Sequence, residues 1–282
     1  MIALAVLLAA GASYIGIGAY TLAAPDPTLV GDPPSDLPIR SVDFDGVEGA
    51  RLRGWFLPAD RPRAVVVLMH GVRANRLQML DRARFLHRAG YAVLLYDSRA
   101  HGESTGRAIT FGYLESRDAR IAIELARSLS QTPRAAIIGV SLGGAAAILA
   151  DPPVDVNALV VESVYPMIDR AIANRLRSTY LGRLGPMFTS FLTAVLPLRL
   201  GFHAAELRPV DHVANLSLPK LFIFGTADQS TTMEESLDLV GHAAEPKQSW
   251  AIRDAGHVDL FEYAGDEYRR RVLEFLGASL AQ

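Results

Sequence analysis

The sequence predicts an α/β fold built on a mostly parallel, eight-stranded sheet, with helices on both faces and a helical insertion. Three observations predict it. Short, continuous apolar runs alternate with stretches of helical periodicity. Two segments of alternating apolar and polar residues precede those runs. One Ser sits in a Gly-rich turn between an apolar run and a stretch of small residues. The chain of 282 residues is long enough for one large domain of this kind.

Composition narrows the function classes. Half of the residues are hydrophobic and the formal net charge is -2, so the chain folds and carries no basic excess for a nucleic-acid partner. Cys is absent, which excludes disulfides, a Cys nucleophile and Cys-based metal sites.

The elements follow in order. Residues 1–24 (MIALAVLLAAGASYIGIGAYTLAA) carry no charged side chain. As a helix they would reach about 36 Å, enough to cross a hydrocarbon core of about 30 Å. A transmembrane anchor is favoured over a cleaved signal segment, because no basic residue precedes Arg40 and Pro25 follows Ala23-Ala24 directly. Asp26, Asp32 and Asp36 follow the run, which leans towards the rest of the chain lying outside the cytoplasm. Residues 25–40 hold five Pro and read as an extended linker, free of packing. From residue 41 a single domain is expected to run to residue 282.

SVDFDG and RLRGWFLP read as a half-exposed antiparallel pair. Six runs then read as strands buried on both faces: 64–69, 92–96, 135–139, 158–161, 220–225 and 249–252. Helices are expected over 76–89, with Leu77, Leu80, Ala83 and Leu86 on one stripe, over 113–130, and near 264–281. The connection between Val161 and Lys220 is too long for a plain crossover. An insertion at about 164–208 is expected there, and its apolar stretch, 186–201, reads equally as core helix or as a lid over an apolar pocket.

The sharpest motif is Gly139-Val140-Ser141-Leu142-Gly143-Gly144, between the strand AAIIG and the helix that begins Ala145-Ala146-Ala147. That is the context of a G-x-S-x-G nucleophile elbow. Gly139 and Gly143 lack Cβ atoms and let strand and helix approach. The turn lifts the Ser141 hydroxyl out of the sheet and aims the Leu142 amide at a developing oxyanion. A Ser hydroxyl needs a base. Of seven His, His257 follows the last strand and precedes the last helix, so its loop reaches the edge that carries Ser141. Asp228, after the strand KLFIFG, is the acid expected to orient it, with Glu162 as rival.

With these residues in the order Ser, Asp, His, residues 41–282 resemble the α/β-hydrolase superfamily. The resemblance implies an oxyanion turn at His70-Gly71, with the Val72 amide as the second donor. It identifies Asp97-Ser98-Arg99-Ala100-His101-Gly102-Glu103-Ser104 as a D-x-R-x-H-G-x-S segment. Thr110-Phe111-Gly112, Glu115 and Asp118 are similar to a pattern in membrane-anchored esterases, lysophospholipases and acyl-protein thioesterases. His70, Asp97, Arg99 and His101 are expected to hold loops around the site and to transfer no proton. Ser141 stands where dehalogenases of the superfamily carry Asp, which argues against their chemistry. The Pro often found after the acid is missing here, which bears on the geometry of that loop.

The expected activity is hydrolysis of an ester or thioester by a Ser141–His257–Asp228 triad. The apolar insertion and the N-terminal run point to acyl-chain or lipid-like substrates. No metal or organic cofactor is implied, and oligomeric state is not encoded in any pattern seen here. Competing readings are a serine peptidase on small amides and a non-catalytic binding scaffold.

Overall fold

The apolar runs become strands because a backbone buried on both faces must pair its N–H and C=O groups, and a sheet pairs them. The computed structural model describes residues 18, 20–178 and 188–281. The strands are β1 (Asp26–Pro27), β2 (Arg40–Asp45), β3 (Arg51–Leu57), β4 (Val65–Met69), β5 (Ala92–Tyr96), β6 (His101–Gly102), β7 (Ala135–Val140), β8 (Ala158–Glu162), β9 (Lys220–Gly225) and β10 (Lys247–Ile252). The main sheet has eight strands in the order β10-β9-β8-β7-β4-β5-β3-β2. β3 runs antiparallel to both β2 and β5, and every other pairing is parallel. The predicted mostly parallel, eight-stranded sheet is what the chain forms.

The α-helices that follow β1 are α1 (Leu80–Arg88), α2 (Tyr113–Ser130), α3 (Leu142–Leu149), α4 (Ile168–Arg177), α5 (Thr189–Leu200), α6 (Pro209–His212), α7 (Met233–His242) and α8 (Leu260–Leu280). Strand alternation divides the core between the two faces of the sheet. Val65, Val67 and Met69 of β4 join the layer of α2 and α3, while Val66 and Leu68 join that of α1 and α8. β4, β5 and β7 are buried along their whole length. The loops after β4, β7, β8, β9 and β10 all leave the sheet at its carboxyl edge, where an open α/β sheet binds ligands.

Four expectations need correction or fall elsewhere. The run at 249–252 is not buried on both faces, because β10 is an edge strand with only Ile252 buried. Leu77 leaves the apolar stripe and is exposed. It lies in a 3-10 turn, Arg76–Met79, capped by the Asn75 side chain, and a period of three rotates it away from α1's buried face. The linker at 25–40 is not free of packing. Its amides at Asp26 and Thr28 donate to the carbonyls of Ala100 and Gly102 at 2.7 and 2.8 Å, and Glu103 accepts from Val30 and Gly31. Docking satisfies donors that an extended chain would leave to water. The expected membrane span falls on residues 1–24, of which 1–17 and 19 lie outside the described residues, and its described end packs on the domain, with Ala23 buried in the core and Leu22 at a cavity. Among the described residues no helix is long and apolar enough to cross a membrane.

Candidate active site

β7 ends at Val140, and α3 begins at Leu142, which leaves one residue to make the turn. That residue is Ser141, at φ 46° and ψ -106°. Such a conformation costs a non-Gly residue on the order of 1–3 kcal/mol and persists only where its surroundings impose it. Here they do. The Ser141 amide donates to the Glu162 carbonyl at 2.7 Å, and its carbonyl accepts from Ala145 at 2.8 Å. Two glycines make the crossing tight. A Cβ on Gly143 would lie 2.4 Å from the Met69 carbonyl oxygen, and one on Gly139 would lie 2.5 Å from the Gly144 nitrogen.

His257 and Asp228 meet although 29 residues separate them. His257 Nδ1 stands 2.8 Å from Asp228 Oδ2. A carboxylate only accepts, so Nδ1 carries the proton and Nε2 is left as the basic nitrogen. Asp228 is buried, and its other oxygen accepts from the amides of Ser230 and Thr231 at 2.8 and 2.9 Å. This turn orients the carboxylate without the Pro that the sequence lacks. Thr232 then caps α7 in a reciprocal pair with Glu235.

Ser141 and His257 line one cavity of about 250 Å³. Leu142 and Val72 line it as well, so both expected amide donors belong to residues at the cavity wall. The Leu142 amide is the first of α3, where the helix supplies no internal partner. The turn bearing Val72 is held by Gln78, whose side-chain oxygen accepts from the Gly71 amide at 2.8 Å. Apolar walls come from Phe111, Tyr165, Ile168 and Ile172, so α4 of the insertion faces the cavity.

The remaining predicted residues build loops. His70 is buried, donates from Nδ1 to the Gly71 carbonyl at 2.7 Å and accepts the Ser98 amide at Nε2 at 2.9 Å. Burial, reinforced by the neighbouring His101, holds its pKa down to about 3. Asp97 accepts from the amides of Arg76 and Glu103 at 2.7 and 2.9 Å and pairs with the Arg76 guanidinium. Arg99 forks onto Asp118 at 2.7 and 2.9 Å and reaches the Val47 carbonyl. His101 Nδ1 bonds the Arg99 carbonyl at 2.9 Å, and burial pushes its pKa down too. Glu115 gathers the Thr110 hydroxyl and the amides of Thr110 and Gly112, and burial pushes its carboxyl up. None of these five lines the cavity.

Burial of neutral His70 makes stability depend on pH. Its folded value lies below its ordinary 6.5, so the unfolded chain binds the proton first, and stability present above pH 6.5 is lost on acidification. Between pH 7.5 and 5.5 this residue alone is expected to cost about 1.4 kcal/mol. His101 acts in the same direction. Asp97 and Glu115, both shifted up by burial, act in the opposite sense. Urea unfolding at the two pH values should show the loss, and His70→Gln should flatten the slope. An unchanged slope contradicts the assignment.

Sequence reasoning missed a buried cluster beneath the site. Arg82 of α1 donates to Glu162 at 3.1 and 2.7 Å and to Asp259 at 3.0 and 2.8 Å. The Tyr268 hydroxyl donates to Glu162 at 2.6 Å. Glu162 is therefore no rival to Asp228, since its carboxylate is spent here. Burial alone would push the Arg82 guanidinium down, but the charge of Glu162 and the hydrogen bonds of both carboxylates more than offset it. Asp259 also caps α8, just after His257. The available signal was an Arg on the apolar face of a predicted helix. Among the described residues no group of three or more His, Asp or Glu side chains is placed to hold a metal ion.

The sequence profile of the Alpha/beta hydrolase family matches residues 65–271. The chain belongs to the alpha/beta hydrolase family. Its relatives include the uncharacterized protein YfhR of Escherichia coli K12, 26% identical over 91% of this chain and 86% of that one. Another is the uncharacterized protein Rv2307c of Mycobacterium tuberculosis H37Rv, 31% identical over 78% of this chain and 73% of its own. Among solved structures, the Pyrococcus furiosus esterase Pf2001 superposes with a TM-score of 0.75 at 23% identity, covering 91% of this chain and 99% of that one. Membership of the alpha/beta hydrolase family supports hydrolytic activity and agrees with a site at the carboxyl edge of the sheet.

Proposed function

We propose that this alpha/beta hydrolase is a serine esterase or thioesterase acting on acyl-chain substrates through Ser141, His257 and Asp228. The observation that carries the reading is the 2.8 Å pair of His257 and Asp228 on the cavity that Ser141 also lines. His257 Nε2 takes the Ser141 proton as Oγ attacks the carbonyl carbon. The amides of Leu142 and Val72 stabilise the oxyanion. His257 then protonates the departing alkoxide or thiolate. Water, deprotonated by the same nitrogen, cleaves the acyl-enzyme and returns the proton to Ser141. Asp228 holds the ring and stabilises the imidazolium without taking its proton.

The substrate class rests on the lining, where Ile168, Ile172 and Phe111 favour an acyl chain. The esterase Pf2001, similar in fold, is in keeping with an ester substrate. Within the charge-free run 1–24, the part ahead of Leu22 and Ala23, which pack on the domain, is read as a membrane tether with the domain outside the cytoplasm. Protease digestion of the domain in spheroplasts tests that placement, and protection contradicts it. The deciding experiment for the chemistry is labelling by a fluorophosphonate. The expected adduct maps to Ser141 and is lost in Ser141→Ala. An adduct elsewhere, or none on folded protein, favours a binding scaffold. A panel of esters against aminoacyl amides separates the peptidase reading.

A further inference from the structure

We propose that the segment just ahead of β1 forms a wall of the acyl-binding cavity, and that Leu22 sets the length of acyl chain the cavity accepts. The proposal rests on the acyl-hydrolase reading above and goes beyond it by assigning a selectivity residue outside the sheet domain.

Leu22 lines the cavity together with Ser141 and His257, facing a space whose other apolar lining includes Ile168 and Ile172 of α4. The residues around it are held from both sides. The Arg73 guanidinium, next to Val72, donates to the carbonyls of Thr21 and Leu22. The Ile109 amide donates to the Ala23 carbonyl at 2.9 Å, and Ala23 is fully buried in the core. On the side of the insertion, Arg199 of α5 stacks 4.9 Å from the Tyr20 ring, and a Cβ on Gly18 would touch Leu192 at 3.4 Å. Asp26–Pro27 then pairs with His101–Gly102 as β1 and β6. The segment thus bridges the turn that carries Val72 and the helix that covers α4. A wall fixed at so many points positions a side chain well enough to discriminate ligands.

The physical consequence is selectivity by length. An acetyl group bound at Ser141 ends close to the nucleophile. A longer chain must extend along the apolar lining and bury its methylenes against Leu22. Each buried methylene is worth about fourfold in affinity. A charged side chain at position 22 would have to be desolvated beside that chain, which penalises long substrates more than short ones.

The test uses the full chain in detergent, with Leu22→Glu, Leu22→Ala and Leu22→Trp, and p-nitrophenyl esters from acetate to decanoate. The ratio of kcat/KM for decanoate over acetate is expected to fall at least tenfold in Leu22→Glu and in Leu22→Trp, and less in Leu22→Ala. A ratio constant within twofold across the three variants overturns the proposal. Binding of a dansylated undecanoate to the Ser141→Ala protein, with and without Leu22→Glu, gives a readout independent of turnover. If the parent hydrolyses no ester, the hydrolase reading fails, and this binding arm alone decides the wall. A tenfold loss of affinity supports it, and equal affinity overturns it.

Discussion

Replacing Ser141 by Ala is expected to lower kcat for a p-nitrophenyl ester by on the order of 10⁴ to 10⁶, with little change in thermal stability. The magnitude follows from the proposed role of the hydroxyl as the attacking atom. What survives comes from oxyanion stabilisation and binding, which need no nucleophile on the enzyme. His257→Ala should cost nearly as much, and adding it to Ser141→Ala should cost almost nothing further, because the residues act as a unit. Asp228→Asn should cost about 10⁴, since an amide at the 2.8 Å contact favours the wrong tautomer of His257. The backbone of the elbow should tolerate Ala at position 141, because Ala adds no bulk. Steady-state kinetics beside thermal unfolding check all of this. Retention of more than a tenth of the parent activity in Ser141→Ala would remove that residue from the chemistry.

The second large effect is expected far from the nucleophile in sequence, at Arg82. Arg82→Met leaves Glu162 and Asp259 facing each other without their cation. The side chains of Arg82 and Glu162 are each only 1% exposed. Removing one partner of a buried ion pair costs about 3–5 kcal/mol, chiefly because the remaining charge stays desolvated. For a domain of this size that corresponds to a fall of roughly 6–20 °C in melting temperature. Arg82→Lys should recover only part of the loss, because a point charge cannot fork onto two carboxylates. Pairing Arg82→Met with Glu162→Gln should also restore some stability, as coupled sites do. Activity should fall as well. Glu162 accepts the Ser141 amide through its carbonyl, and Asp259 caps the helix that follows His257. A drop in melting temperature below 2 °C for Arg82→Met would contradict the account.

How much of this was legible follows the range of the forces involved. The bounds of β5 and β9 and of α2 coincide with their apolar runs and helical stripe, because burial pattern and backbone pairing are written locally. The 3-10 turn over Arg76–Met79 was not legible, since it depends on a cap at Asn75 and shifts Leu77 by a fraction of a turn. The exposure of β10 was not legible either. Its apolar residues match those of an inner strand, and only the strand order puts it at an edge.

The same division holds at the site. Ser141 was readable because the elbow is a local geometry, one residue between strand and helix with glycines on each side where a Cβ would collide. His257 and Asp228 were readable from their places after strands, since the loops at one edge of a parallel sheet converge. The Arg82 cluster, the docking of residues 20–28 and the part of α4 in the cavity wall were decided only by the tertiary structure. Each joins residues from elements distant in the chain, through side-chain geometry that periodicity does not encode. The sequence by itself determined which backbone segments are strands and helices and where the Ser141 turn leaves the sheet. Which side chains surround Ser141 was settled by the packing of helices whose apolar faces fit several partners equally well until the whole core is assembled.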